Sequence, residues 1–203
     1  VNKLGAVRVG GSNPVRIMGI LNTSPESFYK KSISVSKQKI ADSARKMEAE
    51  GADFIDVGGM STAPYLSTLV SEKTERDRVV KAIKIIQHAT NLPISVDTCR
   101  SGVAKASLEL GVGIINDVTG LKHDPAMPKI IERYHPSLIL CAHSKTIITG
   151  NQTQATKNVL KKSLDMAKSV KIPSSKIVLD PAIGFFREKG KNSFFTKINS
   201  SWV

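Results

Sequence analysis

The feature that most constrains the fold of this 203-residue chain is a repeated alternation of short apolar runs with amphipathic helical stretches. The runs are continuously apolar, which is typical of strands buried on both faces of a parallel sheet. The helical stretches between them supply the crossovers that parallel strands need. Six runs are predicted as strands, over residues 15–21, 54–57, 93–96, 113–115, 137–141 and 176–179. The pattern predicts an α/β fold of six consecutive βα units.

Helix signals support the same division of the chain. Ser36 and Ser71 each precede a helical pattern and are typical N-cap residues. Gly51 follows the first of these helices, where glycine commonly ends a helix. A final amphipathic stretch over residues 192–198 is predicted as the sixth helix.

Polar residues at the strand ends favour a barrel over an open sheet. A dinucleotide-binding sheet needs a glycine-rich turn such as G-x-G-x-x-G after its first strand, and the sequence has none there. Five of the six predicted strands end in Asn, Asp, Ser or Thr groups, which a barrel would gather around one mouth. We therefore predict a TIM (β/α)8 barrel that is C-terminally truncated to about six βα units. Because the first residue is valine, the numbering is expected to begin inside a longer polypeptide.

Composition narrows the functional classes. A formal net charge of +13 suits binding of nucleic acid, attraction of a small anionic ligand, or simply a surface that keeps the protein in solution. The lysines are spread along helical faces without interleaved aromatics, so we expect no nucleic-acid partner. No apolar run approaches the roughly 20 residues that span a bilayer, and we expect no membrane association. Cys99 and Cys141 lie near the ends of apolar runs and are expected to be buried, reduced thiols of a cytoplasmic protein.

Asp97, Asn116 and Asp180 follow three separate apolar runs, so a barrel would bring them to its mouth. Carboxylates buried without a cationic partner are costly unless a ligand supplies hydrogen-bond donors. A flat heterocycle with an amino group beside a ring N–H would supply them. Alternatively, each of the three caps its strand end by binding local backbone N–H groups. Asp56 lies inside its run and is expected to bond to neighbouring strand ends.

The first predicted strand ends at Asn22, and Thr23, Ser24 and Glu26 follow it. This set of an amide, two hydroxyls and a carboxylate suits an anionic or metal-bound substrate. The same residues are also common in ordinary turns.

Five blocks of the sequence, in the same order, resemble the dihydropteroate synthases of the pterin-binding barrel family. They are MGILNTSPESF (18–28), GADFIDVGGMSTAP (51–64), SVDT (95–98), IND (115–117) and LDPAIGF (179–185). The resemblance covers nearly the whole chain and implies a single pterin-binding barrel domain over residues 1–203. It implies a transferase of folate biosynthesis that condenses 6-hydroxymethyl-7,8-dihydropterin diphosphate with 4-aminobenzoate or a related aryl amine. Pyrophosphate is the second product.

The resemblance also implies the site. Asp97, Asn116 and Asp180 would hold the amino-pyrimidinone edge of the pterin. The residues implied for the diphosphate and the aryl amine are Asn22, Ser24, Ser61 and Thr62, and Asn22 would also bind Mg²⁺ as the cofactor. No Ser/His or Cys/His pairing is evident, so we assign no catalytic nucleophile, and His143 is expected to be structural or to support the pocket. The partners implied are the two small-molecule substrates, with a homodimer formed through the family's last helices.

The chain departs from the family at several positions. Met60 and Ala63 stand where the family has glutamate and arginine, and Phe186 and Arg187 stand where it has glycine and lysine. The family's basic groups on its last two strands have no counterpart up to residue 203. The changed loop resembles an archaeal-type branch that uses a modified aryl amine. Two alternatives stay open, namely methyl transfer from a methylated tetrahydropterin to a corrinoid protein, and pterin binding without catalysis.

Overall fold

The computed structural model describes residues 2–24, 36–62, 69–191 and 194–198. A short antiparallel hairpin comes first, formed by β1 (Lys3–Leu4) and β2 (Val7–Arg8). A parallel sheet follows, with the strands β3 (Met18–Asn22), β4 (Phe54–Gly58), β5 (Ile94–Asp97), β6 (Ile114–Asp117), β7 (Ser137–Cys141) and β8 (Ile177–Asp180). Neighbouring strands in this sheet are also neighbours in the chain, which is the strand order of a (β/α) barrel.

Five helices connect these strands in the described part of the chain. They are α1 (Lys37–Ala49), α2 (Glu72–Ala89), α3 (Ser101–Glu109), α4 (Met127–Tyr134) and α5 (Gln152–Ser169). The predicted caps are confirmed, because the hydroxyl oxygens of Ser36 and Ser71 accept hydrogen bonds from the backbone N–H groups of Lys39 and Thr74. None of the described helices is long and apolar enough to cross a membrane.

The two faces of the sheet are buried against different partners. One face, with Val57, Val96 and Ile115, packs against the helices in the largest apolar cluster. The opposite face carries Phe54 and Ile114 near the strand beginnings, and the hairpin residue Leu4 packs on them. The hairpin is held there by the backbone N–H of Gly5, which donates to the Ser137 hydroxyl at 2.9 Å. The hairpin therefore closes the N-terminal end of the sheet's inner face and leaves the C-terminal end as the mouth.

The predicted sixth helix is wrong over residues 194–198, the described part of that range. Thr196–Lys197 form strand β10, which pairs in parallel with β9 (Phe186–Arg187). The Thr196 side chain is fully buried, and its hydroxyl accepts from the Ser144 backbone N–H at 2.8 Å. The backbone N–H of Ile198 donates to the Arg187 carbonyl at 3.0 Å. These distant partners satisfy an extended backbone, and such tertiary contacts override a weak local helix preference.

The first predicted strand is also shorter than its apolar run. The described strand begins at Met18, and Val15 and Ile17 before it are 92% and 57% exposed. At the edges of the sheet, Ile20 on β3 and Leu179 on β8 are 57% and 38% exposed. Among the described strands, β3 and β8 each pair on one side only. The sheet is therefore open between β8 and β3.

A close approach of α2 to the end of β4 generates the first testable prediction. A Cβ atom at Gly59 would lie 2.7 Å from the Glu75 carbonyl oxygen and 2.7 Å from Val79 Cγ2. Because the first of these atoms belongs to helix backbone, it cannot move without shifting α2. Gly59→Ala should lower the free energy of unfolding by about 1–3 kcal/mol in urea titrations.

Gly113→Ala is the matched control for this substitution. A Cβ atom there would meet only the Gly5 Cα at 3.9 Å, which is an ordinary contact. A Gly59→Ala protein as stable as the Gly113→Ala protein would contradict the packing described for α2.

Candidate functional site

The strand ends at the mouth are in register. Asn22 pairs with Gly58, Gly58 with Asp97, and Asp97 with Asn116. Paired residues of parallel strands point to the same face of a sheet, so Asn22, Asp97 and Asn116 share one row on the inner face. The row has a gap at Gly58, where an added Cβ would lie 2.8 Å from Asn22 Oδ1 and 3.8 Å from Asp97 Oδ2. The Asn22 amide oxygen and one Asp97 carboxylate oxygen therefore both lie next to the space over Gly58.

Asp97 is the group in this row whose ionised form is least favoured by its surroundings. No hydrogen-bond donor or cation among the described residues binds its carboxylate. Burial raises its pKa well above the ordinary value, and the nearby Asp56, Glu75 and Asp117 carboxylates raise it further. This carboxylate is suited to a ligand that brings its own donors.

The side-chain nitrogen of Asn116 forms a hydrogen bond within the protein. Its Nδ2 donates to Asp56 Oδ2 at 2.9 Å, which leaves the amide oxygen as the acceptor. The prediction that Asp56 bonds to a neighbouring strand end is thus confirmed. Burial raises the pKa of Asp56, and the adjacent Ser95 and Asn116 side chains lower it by less. Asp56 Oδ1 is buried without a hydrogen-bond partner among the residues that the structure describes.

Asp180 comes to the same mouth on the last strand of the sheet. It pairs with Cys141, and one of its oxygens accepts from the Ala182 backbone N–H at 2.8 Å. Asp180 and Asp97 both act on the Cys141 thiol, whose pKa is raised by burial and by these carboxylates. Asp180 therefore lies at the mouth and also caps its own strand end, as the capping alternative predicted. Cys99 and Cys141 are buried free thiols, as predicted.

Asp117 follows Asn116 in the chain but has a different surrounding. Its carboxylate accepts from the backbone N–H groups of Thr119 and Leu121 and from the Thr119 hydroxyl, at 2.7–2.9 Å. Burial raises its pKa against these hydrogen bonds. Asp117 is therefore a cap of its own turn.

The residues implied for the diphosphate lie on the loops after β3 and β4. Ser24 and Ser61 are buried, and Thr62 is half-buried. The two loops are joined at their base, where the Thr23 backbone N–H and hydroxyl both donate to the Gly58 carbonyl, at 2.8 and 3.0 Å. Glu26 and Ala63 lie outside the described residues.

The loop residue Met60, which replaces a family glutamate, is buried. It packs with Cys99, Val118 and Cys141 in an apolar cluster at the mouth. An apolar side chain thus fills this position in the chain.

An ion pair behind the mouth could not be anticipated from the sequence. Glu75 is 1% exposed and accepts from the Thr98 hydroxyl at 2.6 Å and from Arg100 at 2.8 Å. Burial raises its pKa, and these two partners lower it. In the sequence Glu75 looks like an ordinary acidic residue of a first helical turn, because nothing local signals that its turn faces the strand ends.

The composition of the mouth bears on metal binding. Among the described residues, no group of three or more His, Cys, Asp or Glu side chains is placed to hold a metal ion. Mg²⁺ commonly takes one or two protein oxygens and completes its shell with water and substrate phosphates. The Asn22 amide oxygen next to Gly58, in the same row as the Asp97 carboxylate, fits that sparse kind of site.

Comparisons with known proteins agree with this geometry. The model of the pterin binding enzyme family matches residues 18–197. The chain is 34% identical over 190 residues to a dihydropteroate synthase of Clostridium beijerinckii, a match that covers 94% of this chain and 70% of that relative. It is 34% identical over 195 residues to the Streptococcus pyogenes enzyme, covering 72% of it.

Solved structures give the same likeness. The crystal structure of a dihydropteroate synthase from Clostridium difficile in the presence of pteroic acid matches with a TM-score of 0.74 and 35% identity. The match covers 87% of this chain and 66% of that one. A Yersinia pestis dihydropteroate synthase in complex with a sulfonamide drug has a TM-score of 0.77 at 27% identity and 65% coverage of its length. The described fold is therefore that of the TIM-barrel dihydropteroate synthases over about two thirds of their length.

The unpaired state of Asp97 generates a prediction about stability. A carboxyl group with a raised pKa binds its proton more tightly in the folded than in the unfolded state. Its contribution to stability therefore falls as the pH rises from the unfolded pKa near 4 through the folded pKa. Asp97→Asn should raise the free energy of unfolding of the ligand-free protein at pH 7 and remove this part of the pH dependence.

Urea titrations at several pH values would measure this effect. Asp42→Asn removes an exposed carboxylate on α1 and is the control, whose free energy of unfolding at pH 7 should stay within about 0.5 kcal/mol of the parent's. An Asp97→Asn protein less stable than the parent at pH 7 would show that the carboxylate has a partner in the folded state.

Proposed function

Because the chain belongs to the pterin-binding enzyme family, in which its relatives are dihydropteroate synthases, we propose that it is a transferase of that type. It condenses 6-hydroxymethyl-7,8-dihydropterin diphosphate with 4-aminobenzoate or a related aryl amine and releases pyrophosphate. The product enters folate or methanopterin-type cofactor biosynthesis. The observation that most supports this proposal is the row of Asn22, Asp97 and Asn116 on one face, with Asp180 at the same mouth.

The pterin edge is complementary to the described acceptors. The ring presents an amino group next to a ring N–H, and both are donors. Asp97 needs such donors because no described residue supplies them. Asn116 offers its amide oxygen because Asp56 fixes its nitrogen, and Asp180 offers the carboxylate oxygen that Ala182 leaves. Donors from the ring would favour ionised Asp97 and lower its raised pKa.

The diphosphate extends from the ring toward the loops after β3 and β4. Asn22 ends β3, and Ser24, Ser61 and Thr62 lie on these loops. Together they provide an amide and three hydroxyls. When bound at Asn22, Mg²⁺ would neutralise charge on the diphosphate. Hydroxyl and backbone donors aimed at the leaving group stabilise the negative charge that grows on it.

The chemistry requires no protein nucleophile. The bond between the exocyclic carbon and the diphosphate oxygen breaks, and the pterin ring delocalises the positive charge left on that carbon. The amine nitrogen then forms the new C–N bond and loses a proton. The chain's part is to hold the ring against Asp97, Asn116 and Asp180 so that the exocyclic carbon faces the amine.

We also propose that residues 1–203 belong to one pterin-binding barrel domain that two further βα units complete. The exposed Ile20 and Leu179 at the two sheet edges support this, because both would be covered by added units. The homodimer, the cytoplasmic location and the archaeal-type aryl amine stay predictions.

A pyrophosphate-release assay with the full chain, the pterin diphosphate, 4-aminobenzoate and Mg²⁺ tests the proposed reaction. Release should require both substrates and should fall at least about tenfold in Asn116→Ala, which removes a hydrogen bond to the ring. Asp165→Ala on the exposed face of α5 is the control and should have no effect. Pterin binding by calorimetry without turnover would favour the methyl-transfer or non-catalytic alternatives, and no pterin binding would exclude all three.

Asn22→Ala tests binding of the diphosphate separately from binding of the pterin ring. The substitution should weaken binding of the pterin diphosphate with Mg²⁺ by about tenfold, because Asn22 serves the diphosphate end. Binding of the bare pterin should be unchanged. Asn158→Ala, an exposed amide on α5, is the control. Equal losses for both ligands would assign Asn22 to the ring instead.

A further inference from the structure

Glu75, a buried residue of α2, contacts the chain just beyond two paired positions of the row on the inner face. Gly58 and Asp97 are paired in this row, and Gly59 and Thr98 follow them in the chain. The Glu75 carbonyl oxygen lies only 2.7 Å from the position that a Cβ atom at Gly59 would occupy. Its carboxylate accepts from the Thr98 hydroxyl at 2.6 Å. Glu75 is therefore packed between the two segments that leave the sheet after Gly58 and Asp97.

Thr98 is held by three hydrogen bonds. Its backbone N–H donates to the Asn116 carbonyl at 3.0 Å, and its hydroxyl donates to Glu75. The Thr98 hydroxyl oxygen also accepts from the Arg100 backbone N–H at 3.2 Å. Successive side chains of an extended chain point to opposite faces, so Thr98 faces α2 while Asp97 faces the mouth. The three bonds to Thr98 therefore limit how far Asp97 can turn or shift relative to Asn116.

The negative charge of Glu75 is balanced within the protein. Arg100 Nη1 donates to its second carboxylate oxygen at 2.8 Å, and the side chains of Glu75 and Arg100 are 1% and 17% exposed. Each carboxylate oxygen therefore has a donor, which is what a buried ion pair needs to offset the loss of hydration. Removing either donor would leave a buried charge uncompensated, so the carboxylate has little freedom to change its contacts.

Glu75 is not placed to bind a ligand in the mouth. Its side chain is almost fully buried, and its two carboxylate oxygens are bound by Thr98 and Arg100. Any effect of Glu75 on ligand binding therefore passes through its neighbours. Thr98 is the neighbour that adjoins a carboxylate of the row, namely Asp97.

We propose that Glu75 is a positioning residue of the pterin site, which acts through the Thr98 hydroxyl to hold the Asp97 carboxylate in line with Asn116. This role rests on the proposed function, because it takes the pterin ring as the ligand of Asp97. Orientation matters there because a hydrogen bond weakens steeply as its angle departs from linear. A carboxylate held by a second layer of hydrogen bonds also loses less freedom when the ring binds.

Two substitutions of Thr98 test this role. Thr98→Val keeps the shape of the side chain and removes the hydroxyl, whereas Thr98→Ser keeps the hydroxyl. In calorimetry with the full chain at pH 7, Thr98→Val should bind bare 6-hydroxymethyl-7,8-dihydropterin at least about fivefold more weakly, because a displaced Asp97 loses most of one hydrogen bond to the ring. Thr98→Ser should bind it within about twofold of the parent. Pyrophosphate with Mg²⁺ should bind equally to all three proteins, because its proposed site lies on the loops after β3 and β4.

Thr156→Val is the matched control. The Thr156 hydroxyl donates to the Gln152 carbonyl within α5, so its loss should leave pterin affinity unchanged. Unchanged pterin affinity in Thr98→Val would overturn the proposal, and so would equal losses for the pterin and for pyrophosphate. A Thr98→Ser protein as weak as Thr98→Val would overturn it as well.

Glu75→Ala tests the same contact from the side of α2. It should weaken pterin binding at least as much as Thr98→Val does. The double variant should bind no more weakly than Glu75→Ala alone, because both changes remove one shared hydrogen bond. Additive losses would show that Glu75 acts by another route and would overturn the proposal. If Glu75→Ala does not fold, the Thr98 substitutions decide the question alone.

Amide hydrogen exchange of the ligand-free protein separates failure here from failure of the proposed function. Exchange of the backbone N–H at residue 98, which donates to Asn116, should accelerate in Thr98→Val by a larger factor than exchange of the slowest amides, which report global unfolding. A parent protein that binds no pterin would contradict the proposed function. Equal exchange at residue 98 in the parent and in Thr98→Val would overturn the positioning role itself.

Discussion

The register of four parallel strands is the constraint on which the candidate site depends. A slip of one residue would move every side chain of a strand to the opposite face. Val57, Val96 and Ile115 prevent such a slip, because it would exchange them in the helix-facing core for the polar residues beside them. The same apolar packing that stabilises the sheet therefore fixes Asn22, Asp97 and Asn116 in one row. The site's geometry is a consequence of core burial on the other face.

Two buried carboxylates near the mouth differ in whether the protein supplies them with hydrogen-bond and ion-pair partners. Glu75 is paired by Arg100 and Thr98, so its burial is compensated within the protein. Asp97 has no such partner among the described residues, and three carboxylates near it raise its pKa further. A buried group without internal compensation destabilises the free protein and gains most from a ligand with donors. This contrast distinguishes a structural carboxylate from one available for recognition.

Local sequence signals predicted the strands, the Ser36 and Ser71 caps and the strand-end position of Asp97, Asn116 and Asp180. They could not reveal contacts that depend on topology. Asp56 and Asn116 are 60 residues apart, and Glu75 and Arg100 are 25 apart. The wrong sixth helix has the same origin, because the partners of Thr196 lie about 50 residues away at Ser144 and Ala142. Asn116 and Asp117 are neighbours at one strand end, and the sheet places their side chains on opposite faces.

Charge around the mouth is segregated, although the chain as a whole carries +13. Asp56, Asp97 and Asp180 make the inner face rich in acceptors, whereas Lys145 and Lys197 lie on the adjoining loops. The acceptors therefore lie on the inner face itself, and these two lysines lie beside it. Among the described residues, four helical lysines form exposed i,i+4 pairs with acidic residues, as in Lys73–Asp77 and Lys161–Asp165. Such exposed pairs contribute little to stability. The total charge therefore acts mainly as a general positive field, which raises the rate at which an anionic ligand encounters the protein.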